Sequence, residues 1–146
     1  MTELSCFKVY DIRGEIDVNI DESISYRIGR ATSQHFGAKS VIVGYDARET
    51  SPAFASAVAK GIQDAGSDAI EIGLAGTEEM YWAVTHFGAC AGIEVTASHN
   101  PKNYNGMKIV KSESKPLHEE VDFRAIKRIA ETEFFKQAKT RGRMIN

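Results

Sequence analysis

Ser98, His99 and Asn100 stand in a row between an apolar strand, "GIEV", and the next one, "GMKIV", with Pro101 directly after them. The run offers a hydroxyl that can act as a nucleophile or carry a phosphoryl group, together with an imidazole and an amide. A serine phosphate adds roughly −1.5 to −2 charges and three acceptor oxygens, so it needs cations and N–H donors close by. His99, Asn100 and, on the following strand, Lys108 are the candidates present. Taken singly, each has a plainer reading. A turn serine or histidine commonly bonds the backbone, and a strand lysine commonly faces water at an edge. Pro101 holds Asn100 out of helical geometry, so the chain turns there.

The elements that must position these residues follow from periodicity. Short β-branched runs predict strands at 40–47, 68–73, 91–97 and 106–110. Helical spacing predicts helices over 22–36, ending at Gly37, and from Ser51-Pro52 to Gly66. Ser51 is expected as N-cap with Pro at N1. Thr77 is expected to cap a third helix whose Glu78 and Glu79 suit the positive end of the helix dipole. A last helix is expected over 119–136, with Val121, Phe123, Ile126, Ile129 and Phe134 as its apolar members. Strands alternating with helices predict an α/β fold, a three-layer α/β/α domain with a mixed, mostly parallel sheet. The link between "GIEVTA" and "GMKIV" is too short for a parallel crossover, so at least one antiparallel pairing is expected. Sites in open α/β sheets lie beyond the carboxyl ends of the strands, which is where Ser98 falls.

The 146 residues suffice for one domain with a real core. A net charge of −2 gives no basic field for nucleic acid, so no nucleic-acid partner is expected and any anion must be held locally. Cys6 and Cys90 are far apart with no CxxC partner, and are read as reduced thiols. The N-terminal stretch lacks the ~7–15-residue apolar run of a signal peptide, and no apolar stretch approaches the ~18 residues of a membrane span. A cytoplasmic location with no membrane partner is the expectation. The tail 139–146, "KTRGRMIN", is basic and lacks a capped ending, and is read as an interdomain border. There is no G-x-S-x-G elbow, and "GYDARETS" is neither G-x-G-x-x-G nor a P-loop.

Together, "TASHNPKNYNGMKIV", the opening "FKVYDIRGEI" and the turn "VGYDARETS" resemble the α-D-phosphohexomutases, the phosphoglucomutase/phosphomannomutase superfamily, in order and spacing across essentially the whole chain. Where many members carry a "PTP" stretch before the third helix, this chain reads "GLAGTEEMYWAV", a variant that looks like the bacterial phosphomannomutases feeding GDP-mannose synthesis.

The resemblance implies a phosphotransferase-type isomerase in which Ser98 carries the phosphoryl group. A hexose phosphate would pass between its 1- and 6-phosphates through a 1,6-bisphosphate, which would also serve as activator. It implies Mg²⁺ touching the phosphate on Ser98 and held otherwise by a D-G-D-x-D-R loop that these 146 residues lack. Lys108 would be general acid/base, with a pKa lowered by nearby cations. Arg13 would present a fixed cationic fork, unless it merely ties the turn after the first strand. Tyr10 would contact substrate, unless packed in the core. His99 and Asn100 would shape the loop or steady the leaving or attacking oxygen. Asp46 and Arg48 are expected to order their own turn or a domain contact rather than touch sugar. Members of the family have four domains, so the remaining domains of the same protein are implied partners, an exposed apolar face is expected, and the domain alone is expected to be inactive. The alternative from another class is a stand-alone module binding a phosphate or a protein without catalysis.

Overall fold

The computed structural model describes residues 3–8 and 11–146, and its order of elements follows the alternation in the sequence. Strand β1 (Ile12–Glu15) precedes helix α1 (Glu22–Phe36), β2 (Ser40–Tyr45), α2 (Ser51–Asp64), β3 (Asp68–Leu74) and α3 (Thr77–His86). Then come β4 (Ala91–Val95), β5 (Tyr104–Lys111), the short β6 (Lys115–Pro116), α4 (Arg124–Thr132) and β7 (Met144–Ile145). Among the described residues the strands form one mixed sheet in the order β1-β5-β4-β2-β3-β7, with β6 beside β5. The central strands β4-β2-β3 and the added β7 run parallel. The short link after β4 returns the chain antiparallel as β5, as its length requires, and β1 is antiparallel to β5.

Strand alternation sorts the sheet's side chains into two cores. Val41, Val43, Ile93, Val95, Met107 and Ile109 face α1, α2 and α4. Ile42 and Val110 face the other way, onto Met80, Ala83 and Val84 of α3. That makes three layers. α1 and α2 touch backbone to backbone: a Cβ on Gly61 would lie 2.2 Å from the Tyr26 carbonyl oxygen, and one on Gly29 2.3 Å from that of Val58. Cys6 and Cys90 are both free thiols, and burial pushes the Cys6 thiol up to about 11.

Several local expectations are corrected. The cap of α2 is Thr50, not Ser51, because the Ser51 hydroxyl is drawn instead to Asp46 Oδ1 at 2.6 Å. Gly76 rather than Thr77 precedes α3, and its N–H is taken by the Glu79 carboxylate at 2.8 Å. The last helix is shorter than 119–136. Residues 119–123 form a wide turn in which Phe123 N–H bonds the His118 carbonyl, α4 follows, and Glu133 ends it in a left-handed conformation with φ 55°. Val121 and Phe134 are therefore exposed, while Phe123 and Ile126 are buried. Leu74, Trp82 and Phe87 also stand exposed, with the Trp82 indole stacked on His86 at 4.3 Å. Residues 143–145 run along β3, with Arg143 paired to Asp68 at 3.1 Å, and just before them the Gly142 N–H bonds the Gln63 carbonyl of α2. Among the described residues no helix is long and apolar enough to cross a membrane.

Two buried carboxyl groups have opposite electrostatic settings. Burial alone would raise Asp122, but His35 at 2.9 Å, the His118 N–H at 2.8 Å and Lys111 at 2.9 Å overcome it and hold the carboxyl at about 2. Glu94 on β4 is 1% exposed, and neither of its oxygens has a hydrogen-bond partner. Burial, then the charges of Asp46 and Glu79, raise it from 4.5 to about 8.

These settings predict opposite pH slopes. Asp122 contributes stability fully present above its unfolded value near ~3.9, lost as pH falls toward about 2. Asp122→Ala should cost roughly 3–5 kcal/mol near neutrality, read from urea midpoints, and much less at the acid end. Folded Glu94 binds a proton that the unfolded chain has released, so it lowers stability progressively between pH 4.5 and about 8. Glu94→Gln should remove that slope, and its advantage over the parent should grow with pH to the order of a few kcal/mol.

Candidate active site

The serine loop begins where β4 ends. Thr96 N–H still reaches the Gly106 carbonyl of β5 at 2.9 Å, after which the chain leaves the sheet. Ser98 takes φ 54°, a left-handed conformation that a non-glycine residue adopts only when its surroundings enforce it. The enforcing contacts are local and long-range. Ser98 N–H donates to Thr96 Oγ1 at 3.0 Å. The Asn100 backbone N–H and side-chain amide both donate to the Ala97 carbonyl, at 3.0 and 2.9 Å. Ser98, His99 and Asn100 themselves are exposed.

The long-range contact is Arg48, from the turn between β2 and α2. Its Nη1 donates to the carbonyls of Pro101 at 2.7 Å and Tyr104 at 3.0 Å; its Nη2 donates to those of Ser98 at 3.0 Å and Asn100 at 2.6 Å. Asp46 holds the guanidinium from behind, Oδ2 to Nε at 3.6 Å, while its Oδ1 accepts the Arg48 N–H at 3.1 Å. The buried Asn105 completes the frame, donating to Thr50 Oγ1 at 2.9 Å and Ser51 Oγ at 3.1 Å. Arg48 thus orders the serine loop and not only its own turn. An open cleft of about 630 Å³ lies here, lined by Asp46, Arg48, Glu49, Ser98, Asn100 and Lys102.

Arg13 and Lys108 lie on one face of the sheet, since Arg13 pairs with Gly106, two residues before Lys108 on β5. β1 can approach because residue 106 is glycine: a Cβ there would sit 1.9 Å from the Ile12 carbonyl oxygen. Arg13 Nη1 bonds the Ile12 carbonyl at 2.6 Å and that of Met107 at 3.3 Å, so part of its fork ties the ladder. Burial, with the Arg48 cation adding to it, draws the Arg13 guanidinium down against the pull of Asp11. Lys108 Nζ stands 3.8 Å from Asp11 Oδ1. Its charged neighbour is thus a carboxylate rather than the cations expected of it. Lys108 opens onto a second depression of about 380 Å³ with Asp11, Tyr81, Ser114 and Phe123, which shares no lining residue with the serine cleft. Tyr10 lies outside the described residues. Among the described residues no cluster of three or more His, Cys, Asp or Glu side chains could hold a metal ion, so Mg²⁺ finds no ligand set of its own here.

Three residues that shape this site were not expected in it: Arg48 was expected to order its own turn or a domain contact, and Asn105 and Glu94 had no expected role. Arg48 and Asn105 build the loop's frame, and Glu94 lies buried opposite Lys108 in register. The signals were present: a polar Asn105 opening an apolar strand, and a glutamate inside "GIEV".

A family model described as phosphoglucomutase/phosphomannomutase, alpha/beta/alpha domain I, matches residues 5–137. A phosphomannomutase of Escherichia coli is 51% identical over 135 residues, covering 92% of this chain and 30% of that protein. A Klebsiella pneumoniae phosphomannomutase is also 51% identical, over 92% of this chain and 86% of that sequence. A crystal structure of a phosphoglucomutase/phosphomannomutase family protein from Burkholderia thailandensis superposes with TM-score 0.86 at 30% identity, covering 99% of this chain and 33% of that one. The chain therefore spans about 30% of the E. coli relative's length. On these matches and the fold they share, the chain belongs to the phosphoglucomutase/phosphomannomutase family and forms its α/β/α domain I.

Proposed function

We propose that this chain is the phosphoserine-bearing domain of a phosphohexomutase, with mannose phosphate the preferred substrate. The observation that carries the reading is Ser98: exposed, left-handed and clamped through its own carbonyl at the carboxyl end of β4. A residue that only turned the chain would not need its loop fixed by four bonds to one distant cation.

In the proposed reaction the free hydroxyl of a hexose phosphate attacks the phosphorus on Ser98. The new phosphorus–sugar oxygen bond forms as the bond to Ser98 Oγ breaks, and the hydroxyl proton passes to Lys108. The sugar 1,6-bisphosphate then reorients. Ser98 Oγ attacks the other phosphoryl group, and the departing sugar oxygen recovers a proton from Lys108. Phosphoryl transfer depends on positioning and charge neutralisation more than on covalent chemistry. In this reading Arg13 and Lys108 bring positive charge to the phosphoryl group, and Arg48 adds its charge through the loop it orders. The 1,6-bisphosphate would serve as activator by restoring the phosphate on Ser98. His99 and Asn100 shape the loop, Asn100 through its bonds to Ala97.

Family membership suggests Mg²⁺ dependence, and such an ion supplies charge neutralisation at phosphate oxygens. The chain's own groups do not form a cation cage among the described residues, so its ligands besides the Ser98 phosphate are assigned to further domains. Exposed Trp82, Phe87 and Leu74 support docking against such domains. Hexose-phosphate turnover by the 146 residues alone is accordingly not expected.

In a protein carrying all of the family's domains, Ser98→Ala should abolish mutase turnover, and retained turnover would overturn the reading. Lys108→Ala should keep the fold and lower kcat on the order of 10²–10⁴-fold, measured by coupled assay of hexose 6-phosphate. An unchanged kcat would move the acid/base role to another residue.

A further inference from the structure

Three carbonyl oxygens of the serine loop and that of Tyr104 at the start of β5 converge on Arg48, and that convergence fixes more than the path of the chain. In a planar trans peptide the carbonyl and the next residue's N–H point to opposite sides, and no described peptide bond is cis. Drawing the Ser98 carbonyl onto Arg48 therefore turns the His99 N–H away from it. Drawing the Pro101 carbonyl onto Arg48 does the same to the Lys102 N–H. The Asn100 carbonyl precedes Pro101, so its peptide has no N–H to place. Three further amides of the loop are engaged: Ser98 with Thr96, Asn100 with Ala97, and Tyr104 with the Pro101 carbonyl at 3.0 Å. His99 and Lys102 are both exposed, and Lys102 lines the same cleft as Ser98. Outward-facing amides of one loop form a concavity suited to an anion.

We infer that Arg48 is a positioning residue that aims the His99 and Lys102 amides at the phosphoryl group of Ser98, forming a backbone cradle for it. The inference rests on reading Ser98 as the phosphoryl carrier. Arg48 acts through the loop rather than by touching phosphate, because its two terminal nitrogens are occupied by backbone carbonyls. Its charge still favours the anion. A lysine could not reproduce the effect, since its ammonium lacks the planar fork that serves four acceptors.

The test installs phosphoserine at position 98 genetically in the ¹⁵N-labelled 146-residue chain and follows amide shifts against pH. Both the His99 and Lys102 amide protons should move downfield as the phosphate takes its second charge near ~pH 6, with the midpoint of the ³¹P titration rather than that of the His99 ring. In Arg48→Lys both responses should be lost. Amides that ignore the phosphate in the parent chain overturn the proposal, as do amides that respond equally with Arg48→Lys. The parent measurement decides alone should the variant not fold. Because the phosphoserine is installed rather than acquired, silent amides would reject the cradle and leave the phosphoryl-carrier reading to its own turnover test.

Discussion

The loop after β4 leaves the sheet with carbonyl groups that no strand pairs, and a single guanidinium collects three of them together with the Tyr104 carbonyl at the start of β5. Backbone acceptors left without partners are costly, and a charged donor satisfies them more strongly than a neutral one. Everything distinctive about the loop follows from that contact. Ser98 can hold its left-handed backbone because its carbonyl is anchored, and its side chain remains free for chemistry because the anchoring uses only main chain. Arg48 is itself set by Asp46, whose other oxygen fixes Ser51 at the start of α2. The first turn of a helix, the end of β2 and the serine loop are thereby one rigid unit.

The sheet supplies the rest by adjacency. β1 is brought against β5 where Gly106 leaves no side chain in the way, and this sets Arg13 on the face that carries Lys108. Glu94 occupies the same face of β4, opposite Lys108, as a carboxyl held mostly neutral below pH 8 by burial and by Asp46 and Glu79. A charged Glu94 would add a fourth carboxylate to Asp11, Asp46 and Glu79, weakening the positive field that a phosphate requires. Its neutrality thus suits an anion site, although it carries a cost in stability.

Architecture was legible because it depends on patterns that one chain displays: alternating β-branched runs, helical spacing, and a link too short for a crossover. The serine loop was legible through residue types. What escaped were long-range choices. Ser51 has the look of a cap, but a carboxylate five residues earlier competes for its hydroxyl and wins. Arg48 has the look of a local turn residue, and its partners lie about fifty positions away, where only folding brings them. The last helix ended early because Glu133 adopts a left-handed conformation, which no apolar spacing announces. Glu94 was hidden by apolar neighbours in a buried strand.

In the proposed function Ser98, held by its backbone, is the group that carries phosphate. The most direct measurement is peptide-level mass spectrometry of the protein from its native cells, after exposure to hexose 1,6-bisphosphate. A single phosphoryl group on Ser98 is the predicted result. An unmodified Ser98, with phosphate absent or on another residue, would contradict the account.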